Sequence, residues 1–160
     1  MALTIRQYQP DDKEKVKALS FAGLAQMGIN VTPDHLVKYD SDLDAIEDVY
    51  LNNRGEFLIG TMNGDIVVMG GLRAKTHTCG EIKRIRVHRD YQRRGYARAI
   101  IERLIEAAPA LGYEELVLDT LTDNYGAQQL FQSCGFVESE RGTRGEFSLL
   151  FYRKPLDSKK

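Results

Sequence analysis

The chain has 160 residues, 42% hydrophobic and 28% charged, with a formal net charge of -1 at pH 7; this suffices for one sizeable core and is too short for two typical domains. A balance so near neutrality excludes a global field that would draw the chain to nucleic acid or to an anionic membrane. Cys79 and Cys134 stand far apart, with no Cys-x-x-Cys pair and no histidine at ligand spacing, which argues against a structural zinc site or a disulfide framework and fits a reducing cytoplasm.

Residues 1–15 carry no apolar leader, and no later run is long enough to span a bilayer, so a soluble, unprocessed protein is expected. Residues 3–8 alternate as a strand. Pro10-Asp11-Asp12 then opens a helix, with Asp11 as the cap, Glu14 three residues on as in a capping box, and Val16, Leu19, Gly23 and Met27 on the inner face. A second helical stretch is expected from Thr32-Pro33-Asp34, interrupted around residues 39–41 and resumed through Leu43, Ile46 and Tyr50. Apolar runs at 57–62 and 66–72 flank Asn63-Gly64-Asp65, the strongest short hairpin signal.

After a turn at 76–80, residues 81–87 read as the next strand of a meander. Strict alternation puts Glu81, Lys83, Ile85 and Val87 on one face and Ile82, Arg84 and Arg86 on the other. Neither face is purely apolar, as expected for a sheet that is half core and half cleft wall. Ala97, Ile100, Ile101, Leu104, Ile105 and Ala108 fit the helical template up to Leu111-Gly112. Residues 116–118 form a short buried strand, and the right-handed crossover from 82 to 118 makes it parallel to the strand at 82. A short helix from Asn124 closes at Gly135, residues 136–137 and 147–152 finish the sheet as a second antiparallel pair, and residues 157–160 form a flexible tail.

The segment from 82 to 97 runs a basic, extended stretch through Gln92-Arg93-Arg94-Gly95-Tyr96-Ala97 into a helix. Glycine at 95 permits close approach of a ligand, and free N–H groups at the positive end of the helix suit a pyrophosphate. An ordinary tight turn is the competing reading of Gly95. Downstream stands Asn124-Tyr125-Gly126-Ala127-Gln128-Gln129-Leu130-Phe131-Gln132-Ser133-Cys134-Gly135-Phe136. Together the two segments resemble the GNAT superfamily of acyl-CoA N-acyltransferases. The first matches its Gln/Arg-x-x-Gly-x-Gly/Ala loop, and the second its Asn-x-x-Ala-x-x-Leu-(Tyr/Phe)-x-x-x-Gly-Phe signature. The resemblance covers about residues 5–152 and is weakest between 28 and 53.

The resemblance implies an α/β (α+β) fold: one acetyltransferase domain over residues 1–156, with a mixed, mostly antiparallel sheet flanked by helices and one parallel strand pair at the cofactor cleft. It implies acetyl-CoA as cosubstrate and no metal. An acetyl group would pass to a primary amine of a small molecule or peptide by direct attack in a ternary complex; an acyl-CoA-binding module without efficient catalysis is the alternative. The pyrophosphate would lie on Gln92, Arg93, Arg94, Gly95, Tyr96, Ala97 and Arg98, and the pantetheine arm along Ile85, Arg86 and Val87. Asn124, Ala127 and Phe131 would line the second side, with Asn124 serving equally well as a helix cap.

Transfer needs an oxyanion donor, a base and an acid. A main-chain N–H near Ile85 or Arg86 suits the first. Glu81 is the best base, because alternation sets it on the face of Ile85 and Val87; a charge paired with Lys83 or an arginine is an equal reading. Many members of the family carry tyrosine where this chain has Phe131, so the acid falls to Tyr125, to water, or to no group. The carboxylates of Asp40, Asp42, Asp44, Glu47 and Asp48 suit a cationic amine, although a solvated acidic face is the preferred reading. Lys83, Arg84, Arg86, Arg89, Arg93, Arg94 and Arg98 are explained by bound phosphates rather than by nucleic acid. The predicted partners are therefore an amine and the cosubstrate, with no nucleic acid and no membrane, and a homodimer left open as the assembly.

Overall fold

The structure is a computed structural model that describes residues 2–26 and 41–157. The expected helix at 32–39, Met27, Asp40 and residues 158–160 of the tail lie outside the described residues. Strands β1 (Thr4–Gln7), β2 (Glu56–Met62), β3 (Asp65–Ala74), β4 (Cys79–Val87), β5 (Glu115–Leu121), β6 (Val137–Arg144) and β7 (Phe147–Pro155) form a seven-stranded sheet in the order β1-β2-β3-β4-β5-β7-β6. Neighbours are antiparallel except β4 and β5. Asn63 and Gly64 both take left-handed φ, 52° and 85°, as the two-residue hairpin turn between β2 and β3 requires.

Helix α1 (Lys13–Gln26) packs on one face of the sheet, and α2 (Tyr96–Ala107) and α3 (Tyr125–Ser133) contribute to the core on the other. Ile100, Ile101 and Leu104 of α2 are fully buried, each contributing about 1.5 to 3 kcal/mol. Two cores result. One gathers Leu72, Ile82, Leu116, Leu118, Phe131 and Phe136 beneath α2 and α3. The other gathers Val16, Leu19, Leu43, Ile46, Tyr50 and Phe57 on the side of α1.

Three local expectations change. The cap of the first helix lies earlier than Asp11: a single 3-10 turn, Pro10–Asp12, precedes α1, and the Asp12 carboxylate accepts the Gln9 N–H at 2.9 Å while holding Arg6 at 2.8 Å. Leu43, Ile46 and Tyr50 are buried as predicted, but on a 3-10 turn (Ser41–Asp44) and a π-helical turn (Glu47–Leu51). The strand after α3 begins at Val137 rather than Phe136 and runs through Arg144, because the β6–β7 ladder continues to Arg144–Phe147.

The largest correction concerns β4. Strict alternation fails at Arg84, whose φ is +65°. The β3–β4 register steps from Gly71–Lys83 to Met69–Arg86, so Arg84 and Ile85 together oppose only Gly70. This β-bulge moves the later residues by one face. Ile82, Ile85 and Val87 pack on the α2 side, whereas Glu81, Lys83, Arg84 and Arg86 belong to the opposite face, where Arg73, Asp42 and the Gly23 turn of α1 meet them. Glu81 therefore does not share a face with Ile85 and Val87.

The bulged Arg84 donates to both oxygens of Asp42, its Nε at 3.0 Å, and Tyr50 donates its hydroxyl to Asp42 at 2.6 Å. The two charged side chains are only 8% and 11% exposed. Burial alone would raise the Asp42 pKa, but the Arg84 hydrogen bonds and charge, with the Tyr50 hydroxyl, outweigh it and hold the carboxyl below its ordinary value. Asp42→Ala should cost about 3 to 5 kcal/mol, because it strands a buried guanidinium. The sign with pH follows from the depressed folded pKa: the stabilisation is complete above the unfolded carboxylate value of about 3.9 and is lost as pH falls through the folded one. Denaturant titrations across pH should accordingly give Asp42→Asn a flatter acid limb than the parent; parallel acid limbs would contradict the assigned pairing.

Candidate active site

β4 pairs with β5 only at Cys79–Glu115, Gly80–Leu116 and Glu81–Val117. Beyond that β5 stays with β7 as far as Leu121–Leu149, while β4 stays with β3, and the two parallel strands part. The edge of β4 beyond Glu81 is thereby left open. The opening is a cleft of about 490 Å³ at the C-terminal ends of both strands, the usual ligand position in such sheets.

One wall is β4 from Ile82 to Val87, and the other is Leu118, Asp119 and Thr120 of β5. Ala127, Leu130 and Phe131 of α3 close it on the side of the larger core, and Gln92, Arg93, Gly95, Tyr96, Ala97 and Arg98 close its far end. Arg93 and Gly95 both take left-handed φ, 64° and 82°, which turns the loop so that α2 starts at Tyr96 against the cleft. The first-turn amides of α2 have no partner within the helix itself. A Cβ on Gly95 would meet nothing within 4 Å, so the space in front of it is open. Arg94 is not part of the lining; its guanidinium sits over the Tyr91 ring at 5.1 Å. Arg98 lines the cleft and also donates to the Ser133 hydroxyl, tying α2 to the end of α3.

Asn124 serves both readings: its side chain accepts the Ala127 N–H at 3.2 Å as the cap of α3, and it borders the cleft. Phe131 is 5% exposed, packs on Phe136 and Tyr152, and still forms part of the wall. Tyr125, by contrast, is 69% exposed and does not line the cleft. Glu81 is buried at 8% exposure and accepts Arg73 Nε at 3.2 Å, which realises the paired-charge reading. It shares the face of Lys83 and Asp119, away from Ile85. Of the carboxylates at 42–48, Asp42 is held by Arg84 and Asp44 by Lys17 at 2.7 Å, while Asp48 is exposed. Burial pushes both the Cys79 and Cys134 thiols up, which suits inert side chains.

Sequence reasoning missed Asp119 and Thr120 as cleft residues and attributed Lys83, which does line the cleft, to bound phosphates. Asp119 and Thr120 follow directly after the predicted parallel strand at 116–118, so the position of that strand's C-terminal end was the available signal. Among the described residues no three His, Cys, Asp or Glu side chains are grouped as a metal would need, and no helix is long and apolar enough to cross a membrane.

The sequence profile of the Acetyltransferase (GNAT) family matches residues 27–136. N-acetyltransferase 8 of Homo sapiens is 33% identical over 106 residues, 62% of this chain and 46% of that protein. The chain spans about half the length of the curated relatives it matches. Among solved structures, a GNAT-family acetyltransferase from Staphylococcus aureus Mu50 superposes with a TM-score of 0.87 at 22% identity, covering 98% of this chain and 100% of that one. The Salmonella typhimurium protein yncA, solved with its cofactor acetyl-CoA, superposes with a TM-score of 0.78 at 21% identity, over 99% and 96%. The profile match spans most of the chain, and the superpositions agree in overall fold; this chain belongs to the acetyltransferase (GNAT) family.

Proposed function

We propose that the chain is an N-acetyltransferase that moves the acetyl group of acetyl-CoA to a primary amine by direct attack in a ternary complex. The observation that carries this reading is the open β4 edge beyond Glu81, leading to the left-handed loop at the start of α2. An extended pantetheine arm can add to a strand edge through main-chain hydrogen bonds, and a pyrophosphate suits the amides at Gly95, Tyr96 and Ala97. The acetyl carbonyl would then lie beside the bulge, where Arg84 and Ile85 lack register partners in β3 and a main-chain N–H of Ile85 or Arg86 can meet the developing oxyanion.

In the reaction the amine nitrogen forms a bond to the thioester carbon, and the carbon–sulfur bond breaks. A proton leaves the nitrogen, and the thiolate takes one up. Glu81, buried and on the acceptor face, would accept the first proton through water. No tyrosine stands at 131 and Tyr125 is exposed, so the thiolate is protonated from solvent. A thiol with a reference pKa of about 8.5 leaves passably without an acid.

Gly95→Val keeps free space around the new side chain within the protein but fills the space in front of the loop and strains a left-handed position. Calorimetry should give at least about tenfold weaker acetyl-CoA binding, or about 1.4 kcal/mol; unchanged affinity in a folded variant would remove the pyrophosphate from this loop. Glu81→Gln should lower turnover by about 10² with little change in acetyl-CoA affinity. Turnover kept at the parental level would shift the base to Asp119 or to solvent. For the acid, Tyr125→Phe should change turnover only slightly, whereas Phe131→Tyr, at the cleft wall, should preserve or raise it. A loss of about 10² in Tyr125→Phe would return the role to Tyr125, and a destabilised Phe131→Tyr with unaltered turnover per folded molecule would turn that ring away from the sulfur.

A further inference from the structure

The acceptor side of the cleft is the sheet face opposite α2, and its charges are almost all mated. Arg73 holds Glu81 at 3.2 Å, Arg144 holds Asp119 at 3.2 Å, and Arg84 holds Asp42. Lys83 stands among these pairs, half-buried and lining the cleft, and it makes no hydrogen bond or ion pair among the described residues. The charges of Glu81 and Asp119 favour its ammonium form, and those of Arg144 and Arg73 oppose it less strongly. Burial, the largest influence, pushes its pKa down. A half-buried ammonium in direct contact with no carboxylate among the described residues is uncommon, and the anions nearest to it already serve other cations.

We propose that Lys83 binds a carboxylate of the acceptor, so that the amine substrate is an amino acid or a related amino carboxylate rather than a polyamine or an aminosugar. This rests on the acetyltransferase reading above and deepens it. Lys83 is next to the bulge where transfer would occur, and Glu81 lies two residues earlier on the same face, about 6.6 to 6.8 Å along the strand. Lys83 lines the cleft as a cation for the carboxylate, while Glu81, held by Arg73 and outside the lining, would reach the amine's proton through water. A polycationic acceptor would meet Lys83 as a like charge, and the carboxylates that could have offset it, Asp42 and Asp44, are engaged by Arg84 and Lys17.

Thiol release from acetyl-CoA should be measured with L-amino acids, each beside its carboxamide, and with spermidine and an aminoglycoside. The carboxamide keeps the α-amine, makes it less basic and removes only the carboxylate, so intrinsic reactivity favours it. The parent should nonetheless prefer the acid by at least about tenfold in kcat/KM. In Lys83→Met that ratio should collapse toward unity, mainly through a raised KM for the acid, while Lys83→Arg retains most of it. Thermal unfolding and calorimetry with acetyl-CoA should confirm that both variants are folded and bind the cosubstrate. A parent that acetylates carboxamides or polyamines as well as amino acids overturns the proposal and leaves the transferase reading standing. Equal losses on acid and amide in Lys83→Met also overturn it, because they assign Lys83 to the reacting centre. Binding of acetyl-CoA with no transfer to any amine would refute the transferase reading itself, and this inference with it.

Discussion

The bulge at Arg84 is the constraint on which the rest of this molecule depends. One residue more on β4 than on β3 holds Arg84 at a φ of +65°, a conformation that a non-glycine residue adopts at a cost and keeps only when its surroundings enforce it. Here the enforcement is an ion pair. Arg84 is held in two hydrogen bonds to Asp42, and Asp42 is braced by the Tyr50 hydroxyl. Buried pairs of this kind contribute modestly to net stability, yet losing one partner is costly, so the pair acts as a latch that keeps the bulge in place.

From the latch follow both the cleft and its polarity. Increased local twist at a bulge turns the end of β4 away from its neighbour, in keeping with a parallel pairing to β5 that stops at Glu81–Val117. The same shift sends Ile85 and Val87 under α2, where they seal the larger core, and leaves Lys83 and Arg84 together on the opposite face. Apolar residues thus back one side of the strand, and charged residues line the other. Burial of Ile100, Ile101 and Leu104 fixes α2 against the sheet, and that in turn fixes where its first-turn amides stand relative to the open edge.

Identity near 22% with superposition over the whole chain is understandable in these terms. The fold needs two apolar cores, a left-handed loop at the start of α2 and a sheet that parts; many sequences satisfy such demands. The charged face of the cleft is set in this chain by its own ion pairs. In this chain the pairs are Arg73–Glu81, Arg84–Asp42 and Arg144–Asp119.

What the sequence determined by itself is what depends on near neighbours. Asn63-Gly64 specified the hairpin because those residue types accept the two left-handed positions it requires. The apolar stripe from Ala97 to Ala108 specified α2, Gly95 the loop before it, and Asn124 with Gly135 the bounds of α3. The tertiary structure decided what depends on distant partners. No glycine or proline marks the bulge in β4, because an ion pair to Asp42, 42 residues away, stabilises it; alternation therefore misassigned the faces of Glu81 and Lys83. The carboxylates at 42–48 read foremost as a solvated face, and the fold instead set Arg84 against Asp42 and Lys17 against Asp44. Charge is written in sequence, but whether a charge is free is settled only by which opposite charge the fold sets beside it.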